Sequence, residues 1–210
     1  MIRILIADDH AVVRAGLKQI VQETSDMVVS GEAATGHEVL QLINEADWDV
    51  VLLDINMPGR SGIDVLKQLR SERPQLPVLM LTMYPEEQYA VRALKAGASG
   101  YLTKESIPDE LISAIRKVSA GRKYISTSLA EKLAYDLDLD TEMPLHETLS
   151  DREYEVMCLI ARGETVTDIA DKLCLSKKTI STYRSRILDK MNMKKNAELM
   201  HYAIKHSLVE

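Results

Sequence analysis

The chain has 210 residues, enough for one large domain or two modest ones with a buried core. Its composition, 46% hydrophobic and 28% charged with one Trp and no Phe, is that of a globular protein and excludes a disordered or fibrous one. The net charge is −6, no apolar run nears the roughly 18 residues of a membrane span, and no basic start precedes a long apolar stretch, so a cytoplasmic protein is expected. Cys158 and Cys174 lack a C-x-x-C or His-rich partner and read as reduced, packed thiols. Charge is unevenly spread: residues 1–120 hold 12 basic and 17 acidic side chains, residues 121–148 hold 3 and 6, and residues 149–210 hold 11 and 9.

In chain order, the first 120 residues alternate short β-rich runs with amphipathic helical patterns. Strands are predicted over 2–7, 27–33, 50–54, 78–82 and 99–102, and helices near 12–23, 37–45, 62–72, 86–96 and 107–119. Thr35 with Glu38, Ser61 with Asp64 and Ser106 with Asp109 have the spacing of capping boxes. Such alternation implies right-handed crossovers and a doubly wound parallel α/β sheet, whose ligands bind beyond the carboxyl ends of the strands. A short helix is expected near 127–135, followed by the acidic, Pro-containing linker "DLDLDTEMPLHET". Four short helices then suggest helix-turn-helix. Ser150 and Glu153 box the first, with Leu149 stapled to Tyr154, and Gly163 ends it. Thr165 with Asp168 starts the second, Ser176 caps the third at 177–190, and the fourth lies near 196–206. The expected domains are therefore 1–121, a linker region 122–148, and 149–210.

The polar residues fall where that topology needs ligands. The first strand runs into Asp8 and Asp9, the third ends in Asp54, Thr82 ends the fourth, and Lys104 follows the fifth. Three carboxylates, a hydroxyl and an ammonium converging on one crevice make an oxygen site for a hard cation such as Mg²⁺. Without a cation the acids would repel and carboxyl pKa values would rise. Each Asp could instead cap the helix that follows it; five polar positions at four strand ends make that the weaker explanation. His10 reads as a polar loop residue.

Residues 1–120, with "ADDH", "LLDINMPG", "LTM" and "GYLTK" in order, resemble the flavodoxin-like receiver domain of two-component response regulators. The resemblance implies that Asp54 accepts a phosphoryl group from a sensor histidine kinase. It further implies that Asp9, Asp54 and the Asn56 carbonyl hold Mg²⁺, with Asp8 acting mainly through water. Lys104 and Thr82 would then meet the phosphoryl oxygens, and Tyr101 would be the aromatic switch. Self-catalysed phosphoryl transfer and its hydrolysis would be the only chemistry. Met83 stands where many receivers have Ala or Gly, and is expected to restrict access to the phosphoryl group. Lys104 precedes Glu105 rather than the Pro common there, so a trans bond is expected.

In the last third, residues 177–195 hold seven cations against Asp189 alone, a local nucleic-acid footprint in an acidic chain. Lys177 and Lys178 sit in a first helical turn, where the helix dipole disfavours them, as ammonium groups meant for phosphates would. Ile180, Tyr183, Ile187 and Met191 should face the core, leaving Lys178, Ser181, Thr182, Ser185 and Arg186 outward. Residues 149–210 resemble the LuxR-type helix-turn-helix of the NarL/FixJ response regulators, and "DKLCLSKKTISTYRSRI" is similar to the GacA/UvrY branch. This implies base reading by Ser181, Thr182 and Ser185, and phosphate contacts by Lys178, Thr179, Arg184 and Lys190; Lys177 and Arg186 join the DNA-binding set as cations of the same helix. It also implies a dimer helix carrying Leu199, Tyr202, Ala203 and Ile204, with ordinary packing as the alternative. The implied partners are the kinase, double-stranded promoter DNA, RNA polymerase and a second copy of the chain, with no membrane. A metal-dependent phosphatase with an aspartyl nucleophile is the rival; it would need a D-x-D pair and a cap domain. A receiver that works without phosphorylation is a second, and a quorum-signal receptor a third, which would need a ligand-binding domain in place of the receiver pattern.

Overall fold

A computed structural model describes residues 1–127, 129–131 and 144–209. The chain divides into two compact units, Met1–Ala134 and Tyr135–Glu210. In the first, β1 (Ile2–Ala7), β2 (Met27–Ala33), β3 (Val50–Asp54), β4 (Val78–Thr82) and β5 (Gly100–Thr103) form one parallel sheet of order β2-β1-β3-β4-β5. Between and after them run α1 (Ala11–Gln22), α2 (Gly36–Glu45), α3 (Gly62–Glu72), α4 (Glu86–Lys95) and α5 (Ile107–Ser119). The doubly wound reading holds. The continuous apolar runs VVLL of β3 and VLML of β4 are buried throughout, as central strands covered on both faces must be, whereas edge strand β2 alternates buried and open. Ile4, Ile6, Leu52, Leu79 and Leu81 pack with Leu111, Ile115 and Val118 of α5 in the main core.

Register carries the strand ends to one place. Ala7 pairs with Leu53, Asp54 with Leu81, and Thr82 with Thr103. The residues just past those pairs therefore meet at one edge of the sheet. Gly62 allows α3 to start against that edge: a Cβ there would lie 1.9 Å from the Asp54 carbonyl oxygen. After α5 the chain returns along β5, where Tyr124 donates its N–H to Ser99 O (2.9 Å) and accepts from Tyr101 N–H (3.3 Å). Gly100 permits this approach, since a Cβ would come within 2.7 Å of the Tyr124 carbonyl.

Local expectations need correction in places. Strand β5 begins one residue later than predicted. Ser106 does not cap α5; its backbone is helical and its hydroxyl donates to Thr103 O at 3.1 Å, satisfying it locally. Thr35 caps Glu38 N–H, but Glu38 answers to Ala34 N–H rather than Thr35, and Ser61 accepts from Ile63 N–H, so neither shows the reciprocal box. Of the helix expected near 127–135, residues 127 and 129–131 are helical; residue 128 and residues 132–135 lie outside the described residues, as does most of the acidic linker. Peptide bonds are trans among the described residues, that between Lys104 and Glu105 included. No helix among them is long and apolar enough to cross a membrane.

The second unit comprises a 3-10 turn at Leu145–Thr148, α6 (Asp151–Ala161), α7 (Val166–Lys172), α8 (Lys177–Lys190) and α9 (Asn196–Lys205). Tyr154, Met157, Ile169, Ile180, Ile187, Met191, Leu199 and Ala203 are buried in it. The capping boxes at Ser150 and Thr165 are both complete, and Ser176 caps α8. Tyr183 is only half-buried, and Leu188 joins the core beside Ile187. Both cysteines are free, but only Cys158 is packed; Cys174 is exposed in the α7–α8 turn with φ of 52°. Glu153 accepts from Ser150 N–H at 2.9 Å and from Lys190 Nζ at 2.6 Å. Burial works against its charge, but Lys190 and the Ser150 cap outweigh that and hold its carboxyl below the usual value. The stability it contributes is present above the ordinary carboxylate range and is lost as pH falls through the depressed value. Ser150→Ala, which removes the other half of this box, is expected to destabilise the second unit by about 1 kcal/mol in urea unfolding followed at α6; an unchanged midpoint would count against the cap's role.

Candidate functional site

At the carboxyl edge of the sheet, the Lys104 ammonium lies 2.6 Å from Asp8 Oδ2 and 2.8 Å from Asp54 Oδ2. The two carboxylates are 1% and 2% exposed. Lys104 is placed by its own backbone, whose N–H donates to Thr82 O at 2.7 Å. Asp8 Oδ1 accepts from His10 N–H at 2.8 Å, while Asp8 Oδ2 meets the ammonium as an ion pair. Asp9 is exposed, and its Oδ1 lies 2.7 Å from Nδ1 of the exposed loop residue His10. Ligand atoms of Asp8, Asp9, His10 and Asp54 all lie within 4.8 Å of one another.

This cluster holds more negative than positive charge. Burial, reinforced by Asp8, pushes the Asp54 carboxyl up to about 6, although Lys104 and the Asn56 N–H pull the other way. Burial also works against the Lys104 charge, but Asp54 and then Asp8 outweigh it and raise its pKa. Three acids whose ligand atoms cluster beside one ammonium fit a hard divalent cation bound through oxygen. The chemistry available is charge neutralisation around one nucleophilic carboxylate.

The β4–α4 loop completes the crevice. Thr82 is buried, and its Oγ1 accepts from Tyr84 N–H at 3.2 Å. Met83 is 67% exposed. Tyr101 is fully buried and donates its hydroxyl to Tyr84 O at 3.0 Å. Asn56 Nδ2 donates to Tyr84 OH at 2.9 Å, and Asn56 Oδ1 is buried without a partner. Tyr84 was not singled out by sequence, where a loop tyrosine carries no motif; only its place two residues past Thr82 could have drawn attention.

In the second unit, α8 turns Lys177, Lys178, Ser181, Thr182, Ser185 and Arg186 outward. Lys178, Thr179, Thr182 and Arg186 line one shallow depression with Ser176 and Tyr183. The other expected contacts are tied into the unit: Arg184 Nε donates to Asn196 Oδ1 at 2.7 Å, Lys190 pairs with Glu153, and Thr179 Oγ1 bonds Ser176 Oγ at 2.8 Å. The residues of the expected dimer helix divide between core and surface. Leu199 and Ala203 are fully buried in this unit's own core, and Tyr202 is half-buried with its OH 2.9 Å from His146 Nδ1. The fourth expected residue, Ile204, is 60% exposed, beside exposed Met200.

Comparison with known proteins matches residues 4–116 to the response regulator receiver domain and residues 147–203 to the bacterial regulatory proteins of the luxR family. Response regulator UvrY of Escherichia coli (strain K12) is 37% identical over 210 residues, covering 99% of this chain and 96% of UvrY. Response regulator GacA of Pseudomonas aeruginosa is 37% identical over 215 residues, covering 100% and 99%. Among solved structures, RcsB from Salmonella enterica serovar Typhimurium, bound to promoter rprA in the presence of phosphomimetic BeF3−, superposes with a TM-score of 0.66 at 27% identity, with 100% of both chains covered.

The raised Asp54 carboxyl has a definite pH signature. Its folded value of about 6 exceeds the ordinary 3.8, so its favourable contribution is complete below about 4 and is lost as pH rises through about 6. In EDTA, Asp54→Asn is expected to raise stability to urea at pH 8 by up to about 3 kcal/mol. The gain should shrink as pH falls through about 6; a gain constant from pH 8 to pH 5 would rule out ionised Asp54 as its source.

Proposed function

The chain belongs to the two-component response regulators that join a receiver to a LuxR-type DNA-binding domain, and on that basis we propose that Asp54 carries the signal from a sensor histidine kinase to promoter DNA. The observation that supports this best is the single ammonium of Lys104 set between two buried carboxylates, Asp8 and Asp54. We read the receiver as residues 1–121, the linker region as 122–148 and the DNA-binding domain as 149–210.

In this reading an Asp54 oxygen attacks the phosphorus of the kinase phosphohistidine. The P–N bond breaks, and its electron pair stays on the imidazole. Asp8, Asp9, Asp54 and the Asn56 carbonyl would hold Mg²⁺, which when bound neutralises charge on the phosphoryl oxygens. Lys104 supplies a second positive charge from its place beside Asp54. Thr82 offers a hydroxyl proton to a phosphoryl oxygen, and Tyr101, bonded to the loop after Thr82, reports the change. The receiver thus shifts between two states, and phosphorylation biases one of them.

The DNA-bound RcsB relative supports promoter DNA as the target. Ser181, Thr182 and Ser185 face base edges, while Lys177, Lys178 and Arg186 face phosphates. A homodimer on two half-sites follows from the symmetry of such operators, with Met200 and Ile204 as the apolar residues α9 offers a second copy. RNA polymerase is the downstream partner.

Genome-wide DNA-binding mapping of wild type and Asp54→Asn, with and without a small phosphodonor and Mg²⁺, tests this reading. Wild type should gain occupancy with phosphodonor and Asp54→Asn should not; an equal gain in both would remove Asp54 from the switch. A second measurement separates the cations of α8. Lys178→Gln and Arg186→Gln should each flatten the salt dependence of DNA binding by about one unit of slope. Lys190→Gln, which loses its Glu153 partner, should lower folding stability instead.

A further inference from the structure

Tyr84 joins three residues that the reading above assigns to separate tasks. Its N–H donates to Thr82 Oγ1 at 3.2 Å, its carbonyl accepts from Tyr101 OH at 3.0 Å, and its phenol oxygen accepts from Asn56 Nδ2 at 2.9 Å. The ring itself is buried and packs on Tyr89 of α4, centroids 4.8 Å apart, so the side chain has little freedom. No residue in the first unit links Asn56, Thr82 and Tyr101 more directly among the bonds described.

Each bond constrains the group it reaches. Asn56 sits two residues past Asp54, and anchoring its side chain to Tyr84 OH limits the backbone whose carbonyl faces the proposed cation. The Tyr84 N–H occupies a lone pair of Thr82 Oγ1, and no group among the described residues accepts the Thr82 hydroxyl proton, which leaves it to donate to an incoming oxygen. Tyr101 OH is fixed to the carbonyl of the same residue. Resting on the proposed function, we propose that Tyr84 is a positioning residue that sets Asn56, Thr82 and Tyr101 as one unit, so that cation binding, phosphoryl sensing and the Tyr101 switch respond together. The arrangement resembles the outer-shell bonds that orient metal ligands elsewhere. It also makes a connected path whose coupling can be measured rather than inferred from proximity.

The test uses the full chain and the Tyr84→Phe variant, which removes the phenol oxygen but keeps the ring against Tyr89 and both backbone bonds. Mg²⁺ is titrated by NMR, following the backbone amide of residue 56, and again with beryllofluoride present, following the Tyr101 ring. Tyr84→Phe is expected to weaken Mg²⁺ binding about three- to tenfold, the worth of one buried hydrogen bond. The Mg²⁺ midpoint of the Tyr101 response should move by the same factor. In an Asn56→Ala background, Tyr84→Phe should change Mg²⁺ binding no further, which a general loosening of the fold would not produce. An affinity within twofold of wild type, a Tyr101 midpoint that stays put, or an equal loss in the Asn56→Ala background would each overturn the role of Tyr84. Absence of Mg²⁺ binding by wild type would instead overturn the metal-site reading, and the role of Tyr84 with it; that outcome is recognised before any variant is compared.

Discussion

Two buried carboxylates share one ammonium at the edge of this sheet, and the rest of the receiver is arranged to keep them there. Asp8 and Asp54 lie on adjacent strands in parallel register, and Lys104 reaches both from the far side of β4. One cation cannot balance two acids out of water, and burial, with Asp8 adding to it, raises the carboxyl of Asp54. A fold optimised only for stability would neutralise one of them. Keeping both makes the crevice attractive to a divalent cation, and a cation there makes room for further negative charge.

Holding that arrangement takes close backbone packing rather than more side chains. Gly62 brings the start of α3 against the Asp54 carbonyl, where a methyl group would collide at 1.9 Å. Gly100 lets the segment after α5 lie along β5, with Tyr124 bonded through its backbone to Ser99 and Tyr101. Tyr124 is held further by its hydroxyl on Glu110 at 2.7 Å and by the Lys117 ammonium 5.4 Å above its ring. The strand that carries Tyr101 is therefore paired on both sides, by β4 and by the first residues of the segment leading toward the DNA-binding unit. Tyr101 stands between a loop bonded to Thr82 and a chain bonded to β5.

Much of this was legible in the sequence because parallel sheets write themselves as continuous apolar runs, and ligands follow at the ends of those runs. The five strands and the placing of Asp8, Asp54, Thr82 and Lys104 at their ends follow from that pattern, while the strand order came with the likeness to the receiver domain. What was not legible depends on contacts that cross the fold. Whether Ser106 caps its helix turns on a competing carbonyl, Thr103 O, that lies three residues back in a turn of its own. Leu199 and Ala203 have the spacing of an interface as much as that of a core, and only the packing of α9 on α6 shows that the unit uses them itself. Tyr84 has no pattern at all; its importance lies in which three groups its polar atoms reach.

The DNA-facing helix shows the same limit in its charges. Seven cations between residues 177 and 195 read as one footprint, yet they are not equivalent. Lys190 sits 2.6 Å from the nearly buried Glu153, and Arg184 holds Asn196 at the start of α9. Those two fasten α8 to α6 and α9, and releasing either to meet a phosphate would leave a partner unsatisfied, a cost that offsets the new contact. Lys177, Lys178 and Arg186 are exposed on the outer face of α8, so a phosphate can take them at the cost of hydration alone. The division follows helix face: Lys177, Lys178 and Arg186 share the outer face with the exposed hydroxyls, while Arg184 and Lys190 tie α8 to α9 and α6.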